Sequence, residues 1–189
     1  MDKKHNIGKK IKEMREARYL SIEQLAKESK THKKFIEELE SEKLVPSIAP
    51  LLNIARGLGV QLSALLDDDP TPGAVVARAG LPETEIEFSG LSAYGASTLE
   101  FHPLAKNQKG RHMEPFIIDV HPSIPEDCTF SFHEGEEFIY VLEGEIEVLY
   151  GGDQHLLGVG DSIYYDSTTP HQVKTAGDKE ARILAVLYI

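Results

Sequence analysis

The apolar residues of this chain change their period once, and abruptly. Up to Leu66 they recur at helical spacing; beyond Gly73 they fall into short β-type runs divided by glycine turns. Between the two lies Asp67-Asp68-Asp69-Pro70-Thr71-Pro72-Gly73, where the prolines cannot continue a helix and the acids are expected to bury nothing. A chain of 189 residues so divided reads as two small domains, 1–66 all α and 74–189 all β, joined by an acidic, proline-containing linker over 67–73.

Within the first part, Ile7, Ile11, Met14 and Leu20, with Ala17 between, recur at helical spacing and place a helix over about residues 6–18. Ser21 and Gln24 form a capping-box pattern that opens a second helix, running through Glu28 with Leu25 and Ala26 inward. A third runs from Lys33 to Ser41 and buries Phe35, Ile36 and Leu39. Ser47 is expected to cap a fourth, containing Leu51, Leu52, Ile54 and Ala55 and stopped by Gly57 and Gly59. Gln61 to Leu66 makes a short fifth. Helices this short pack as a compact bundle, not as a coiled coil.

Beyond residue 73, segments 97–101, 116–120, 137–142, 145–150, 162–165 and 183–188 are rich in Ile, Val, Phe and Tyr. Turns fall at Glu143-Gly144, Gly151-Gly152-Asp153 and Gly158-Val159-Gly160-Asp161. This spacing predicts a double-sheet jelly roll or barrel. Residues two apart on a strand share a face, so Ser131, His133, Gly135, Glu137, Ile139 and Val141 all point one way, and the apolar members mark that face as the interior. His133 and Glu137 are then inward polar groups that need partners. His171, set by Pro170 at the start of another strand, is the natural third member. Two imidazoles and a carboxylate make a donor set for a divalent metal. The other histidines (His5, His102, His112, His121, His155) show no pair spacing and are expected on the surface or in loops. Tyr94, Tyr140, Tyr150, Tyr164 and Tyr165 are expected to pack or to lie on strand surfaces, with room for one or two to line a pocket. There is no Ser-His-Asp order, glycine-rich phosphate loop or Cys-His pair to suggest other chemistry.

The net charge of −11 conceals an asymmetry. Residues 1–66 carry 13 Lys and Arg against 9 Asp and Glu, a net +4, while 67–189 carry 7 against 22, a net −15. Only the first part is suited to approach a polyanion. Cys128 is the sole cysteine, which excludes an internal disulfide and fits a reducing cytoplasm. The charged start and the lack of any apolar run of about 18 residues argue against export and against a membrane span.

Residues 6–66 resemble the Xre/Cro-type helix-turn-helix domain. The likeness rests on Ile11-Lys12-Glu13-Met14-Arg15, Ser21-Ile22-Glu23-Gln24-Leu25-Ala26, Phe35-Ile36-Glu37-Glu38-Leu39-Glu40, and Pro46-Ser47 followed by Ile54-Ala55-Arg56-Gly57-Leu58-Gly59-Val60. It implies a five-helix, lambda-repressor-like fold whose third helix lies in a DNA major groove, with His32, Lys33, Lys34 and Glu37 facing base edges and Lys43 meeting phosphate. The chain departs from that pattern at Ile22, where glutamine is usual, at Lys30 in place of the turn glycine, and at Ser41-Glu42 in place of an Arg-Gly pair.

The second part is similar to the cupins. His133-Glu134-Gly135-Glu136-Glu137-Phe138 through Gly144 stands for the first cupin motif, and Gly160-Asp161 with Pro170-His171 for the second. The resemblance implies a jelly-roll barrel and three metal ligands, His133, Glu137 and His171, for iron, zinc, nickel or manganese. A fourth family histidine is replaced by Ser131, and an asparagine that often follows the last histidine by Thr175. The whole chain therefore resembles a helix-turn-helix transcriptional regulator with a cupin sensor domain. Such a protein is expected to bind a pseudo-palindromic operator as a homodimer or higher oligomer and to respond to a small-molecule effector or metal. The alternative is a mononuclear non-haem iron(II) oxygenase of the hydroxypropylphosphonate epoxidase type. That type shares His133-x-Gly135-x-Glu137-Phe138, Val141-Leu142-Glu143-Gly144-Glu145-Ile146 and Pro170-His171, and its helical domain does not serve DNA.

Overall fold

A computed structural model describes residues 7–44, 46–67, 72–79, 99–122 and 130–189. The chain divides into two compact units, residues 1–74 with 106–111, and residues 75–105 with 112–189. His5, Tyr94, Ser97, Thr98 and Cys128 lie outside the described residues.

The helical unit is built from α1 (Ile7–Ala17), α2 (Ile22–Glu28), α3 (Lys33–Glu40), α4 (Ile48–Gly57) and α5 (Leu62–Leu66). Its core is Ile11, Leu25, Ile36, Leu39, Leu51, Ile54, Leu62 and Leu65, all essentially inaccessible. The capping box of α2 is complete: the Gln24 amide donates to Ser21 Oγ and the Ser21 amide to Gln24 Oε1. Ser47 occupies the N-cap of α4 but its side chain makes no capping hydrogen bond. Phe35 is half-buried, because the inward stripe of so short a helix holds only Ile36 and Leu39.

Lys30 and Glu42 both adopt positive φ, 51° and 57°. These are the two positions where the family pattern places glycine, so the turns keep their left-handed shape while carrying side chains that disfavour it. The expectation that the acids after Leu66 bury nothing fails at Asp67. Its carboxylate is buried and accepts from both Nη1 and Nη2 of the buried Arg111, and its carbonyl accepts from Lys10 Nζ at 2.9 Å.

Among the described residues, the second unit holds eight strands: β1 (Leu99–Pro103), β2 (Met113–Val120), β3 (Glu136–Glu143), β4 (Ile146–Tyr150), β5 (Asp153–Leu157), β6 (Ser162–Asp166), β7 (His171–Thr175) and β8 (Ala181–Tyr188). They form a five-stranded sheet in the order β1-β2-β8-β3-β6 and a three-stranded sheet in the order β5-β4-β7, with antiparallel pairing throughout. Phe101, Phe116, Ile118, Ile139, Val141, Val148, Ile183 and Leu187 form the core. Strand β5 escapes a hydrophobic-run search because it is an edge strand, exposed along nearly its whole length and free to be polar.

Candidate metal centre and nucleic-acid face

His133, Glu137 and His171 come together inside the barrel, with side-chain ligand atoms all within 4.8 Å of one another. Each is at most 8% exposed. Glu137 stands on β3 in the five-stranded sheet, and His171 opens β7 in the three-stranded sheet, so the cluster bridges the two layers. The strand does not run unbroken from Ser131 to Val141 as alternation implied. Gly135 interrupts it at φ 108°, where an added Cβ would lie 2.1 Å from the Tyr188 carbonyl oxygen. His133 sits ahead of that break, held by its amide on the Ser167 carbonyl at 2.9 Å, while the Ser167 amide returns to the Gly135 carbonyl. Ser131 bridges His171 through paired backbone hydrogen bonds of 2.8 and 3.0 Å.

The two imidazoles are oriented alike. His133 Nδ1 faces the Glu134 carbonyl at 3.1 Å and His171 Nδ1 faces the Thr169 carbonyl at 2.9 Å. With those Nδ1–H groups donating to backbone, both Nε2 atoms turn to the same oxygen, Glu137 Oε1, at 2.8 Å for His133 and 3.6 Å for His171. This is the arrangement metal-binding histidines use, one nitrogen fixed by a carbonyl and the other presented to the ion. The second carboxylate oxygen, Oε2, accepts from the Tyr165 hydroxyl at 2.6 Å. Tyr165 is one of the five tyrosines expected to pack or lie on a strand surface, with room for one or two to line a pocket. The signal that finds it is register: Tyr165 on β6 is the direct cross-strand partner of Glu137.

Electrostatics keep the cluster polar despite its burial. Burial alone raises the Glu137 carboxyl, but hydrogen bonds and charge from His133 and His171 outweigh it and hold the group at about 2. Burial lowers His171, and its hydrogen bond and attraction to Glu137 more than offset that, leaving it above the ordinary imidazole range. Burial and the Glu137 charge push the Tyr165 hydroxyl well above its ordinary value, so it stays protonated and donates. The Ser167 hydroxyl, also fully buried, has no partner among the described residues. An oxygen in that position is what a bound water or ligand satisfies.

The five residues expected at DNA all reach solvent. His32 is the N-cap of α3 and Lys33, Lys34 and Glu37 lie on its outer side, with Lys43 three residues beyond its end. The lysines are tied to acids: Lys33 pairs with Glu23 of α2 and, at 3.7 Å, with Glu37, and Lys34 pairs with Glu38 at 3.7 Å. Exposed pairs of this kind are weak and exchangeable, so they temper the positive field of the helix without fixing its side chains.

Residues 8–68 match the helix-turn-helix domain family and residues 118–187 the cupin domain family. The chain is a helix-turn-helix protein with a cupin domain. This helix-turn-helix cupin protein is 24% identical over 178 residues to the HTH-type transcriptional regulator PuuR of Escherichia coli, a match spanning 94% of this chain and 92% of PuuR. It is 28% identical over 149 residues to the (S)-2-hydroxypropylphosphonic acid epoxidase of Streptomyces wedmorensis, spanning 74% of this chain and 73% of the epoxidase. Among solved structures, an HTH_3 family transcriptional regulator from Vibrio cholerae superposes with a TM-score of 0.70 at 22% identity, covering 98% of this chain and 96% of that one. An iron(II) form of the epoxidase superposes at 0.52 and 24% identity, covering 98% of each chain. Both establish a shared fold. No helix among the described residues is long and apolar enough to cross a membrane.

Proposed function

We propose that this chain is a sequence-specific DNA-binding transcriptional regulator that acts as a homodimer on a pseudo-palindromic operator. Its cupin domain binds a small-molecule effector, a divalent metal, or the effector through the metal, and thereby shifts operator affinity. The observation that carries this reading is the likeness to PuuR, which runs through both domains instead of stopping at the helical one. The exposed outer edge of α3 and the restriction of net positive charge to the first 66 residues support it.

Lys33→Ala and Lys34→Ala test the helix. Each should weaken operator binding, measured by fluorescence anisotropy, and lower the slope of log affinity against log salt by about 1 if its ammonium meets phosphate. Unchanged affinity and slope in both variants would remove α3 from the interface.

For the barrel, His133, Glu137 and His171 would hold the ion. Two neutral imidazoles and one carboxylate suit iron(II), zinc, nickel or manganese and leave coordination positions for a ligand. His133→Ala or His171→Ala should each lower metal content by about one ion per chain while far-UV circular dichroism stays unchanged. Loss of an outer partner alone costs about 10–100-fold in affinity, and loss of a direct ligand costs more. Metal content undiminished in both variants would place the ion elsewhere.

The iron-oxygenase reading is favoured by this same donor set and by the likeness to the epoxidase. Oxygen consumption by iron(II)-loaded protein with small hydroxy acids and phosphonates separates the two readings: the regulator consumes none above background.

A further inference from the structure

The half-exposed face of the five-stranded sheet carries a second set of metal-ligating side chains. Glu100 on β1 stands directly opposite Asp119 on β2, and Asp119 directly opposite Arg182 on β8. Two carboxylates facing each other across a strand pair repel. The Arg182 guanidinium relieves one of them, donating to Asp119 Oδ1 at 2.6 Å and Oδ2 at 2.9 Å. Glu100 feels that guanidinium through its charge. The Glu100 oxygens face two imidazoles, His102 Nε2 at 3.7 Å and His121 Nε2 at 3.5 Å. His102 Nε2 also lies 3.0 Å from Asp119 Oδ2, and His121 Nδ1 lies 3.0 Å from Glu180 Oε1.

Both paired segments carry a carboxylate and a histidine two residues apart, Glu100-x-His102 and Asp119-x-His121. That spacing puts acid and base on one side of a strand. The partners are distant along the chain and are brought together only by the β1–β2 register.

We infer that Glu100, His102 and Asp119 form a second divalent-cation site on the outer face of the barrel, suited to zinc. One oxygen from each carboxylate and His102 Nε2 lie within 4.8 Å of one another. Zinc bonds of about 2.0–2.1 Å in tetrahedral geometry place neighbouring ligand atoms about 3.3 Å apart. The separations from His102 Nε2, 3.0 and 3.7 Å, bracket that edge. A bound ion would cancel the cross-strand repulsion and clamp the edge strand β1 to β2. His121, resting on the other Glu100 oxygen, would orient that carboxylate, as partners of metal ligands do.

The inference is independent of the central cluster, and so is its test. The full-length His133→Ala/His171→Ala variant, dialysed against zinc chloride and assayed for metal, should bind about one zinc per chain. Adding His102→Ala should abolish that binding. Glu100→Gln should weaken it at least about tenfold. Each chain should unfold at the same temperature without zinc, and zinc should raise the unfolding temperature of the parent but not of the His102→Ala chain. A parent that binds no zinc overturns the inference, as does zinc that survives His102→Ala undiminished. Failure of the central site alone shows differently, as a single zinc in the wild-type chain that His102→Ala removes.

Discussion

Replacing Gly135 by alanine is expected to destabilise the barrel by about 3 kcal/mol or more and to abolish metal uptake at the His133/Glu137/His171 cluster, although all three candidate ligands remain. Two effects add at this position. At φ 108° the backbone sits where an L side chain is strained, and the new Cβ would lie 2.1 Å from the Tyr188 carbonyl oxygen at the end of β8. The break at Gly135 sets the course of the chain between His133 and Glu137, so any shift that relieves the clash moves one ligand relative to the other. Gly152 provides the comparison. Its φ is 101°, yet nothing lies within 4 Å of an added Cβ, so Gly152→Ala incurs the backbone strain alone, about 1 kcal/mol. Thermal unfolding and metal content of the two variants check this. Equal loss in both would mean that the close approach to β8 contributes nothing.

Arg15→Ala should unfold the helical unit under conditions where the wild type is stable, at a cost of about 3–5 kcal/mol. Arg15 grips Glu40 with Nε to Oε1 at 2.6 Å and Nη2 to Oε2 at 2.8 Å, and its Nη1 donates to the Leu20 carbonyl at 2.8 Å. Both charged side chains are under a tenth exposed, so removing the guanidinium strands a buried carboxylate beside the end of α3. Arg15→Lys should recover little, because an ammonium cannot make the paired contact and reach the carbonyl as well. Arg15→Met with Glu40→Leu should recover most of the stability, since replacing a buried pair by apolar groups is often neutral. Urea unfolding followed by helical signal is the measurement. A single Arg15→Ala variant as stable as the wild type would show that the pair is solvated in practice.

Local chemistry made the helical unit legible. The period of the apolar residues, the Ser21/Gln24 box and the Pro46-Ser47 punctuation each act within one turn, and α1 to α5 fall where those signals put them. The barrel was legible through its apolar strands and glycine turns, His133 and Glu137 through alternation, and His171 through Pro170 before it. What escaped depends on register or on contacts distant in sequence. Tyr165 meets Glu137 only because β6 pairs with β3, and Glu100 meets Asp119 only because β1 pairs with β2. Asp67 is buried against Arg111, 44 residues away, a partnership no local pattern announces. Strand β5 lacks an apolar signature because it lies at a sheet edge.

Two features tune how firmly the helical unit could grip DNA. Lys30 and Glu42 hold left-handed turn conformations without glycine, and the α3 lysines share their charge with Glu23, Glu37 and Glu38. If α3 reads DNA as proposed, a helix of this kind has a weak general attraction for phosphate. On the proposed function, affinity would then come from correct base contacts and from two copies engaging paired half-sites.

Selection of binding sites from a randomised duplex library by the full-length protein, followed by anisotropy titration at fixed salt, tests the account most directly. It predicts enrichment of inverted half-sites centred about one helical turn apart and bound at least about a thousandfold more tightly than scrambled duplex. Recovery of no common motif, with equal affinity for selected and scrambled duplexes, would contradict it.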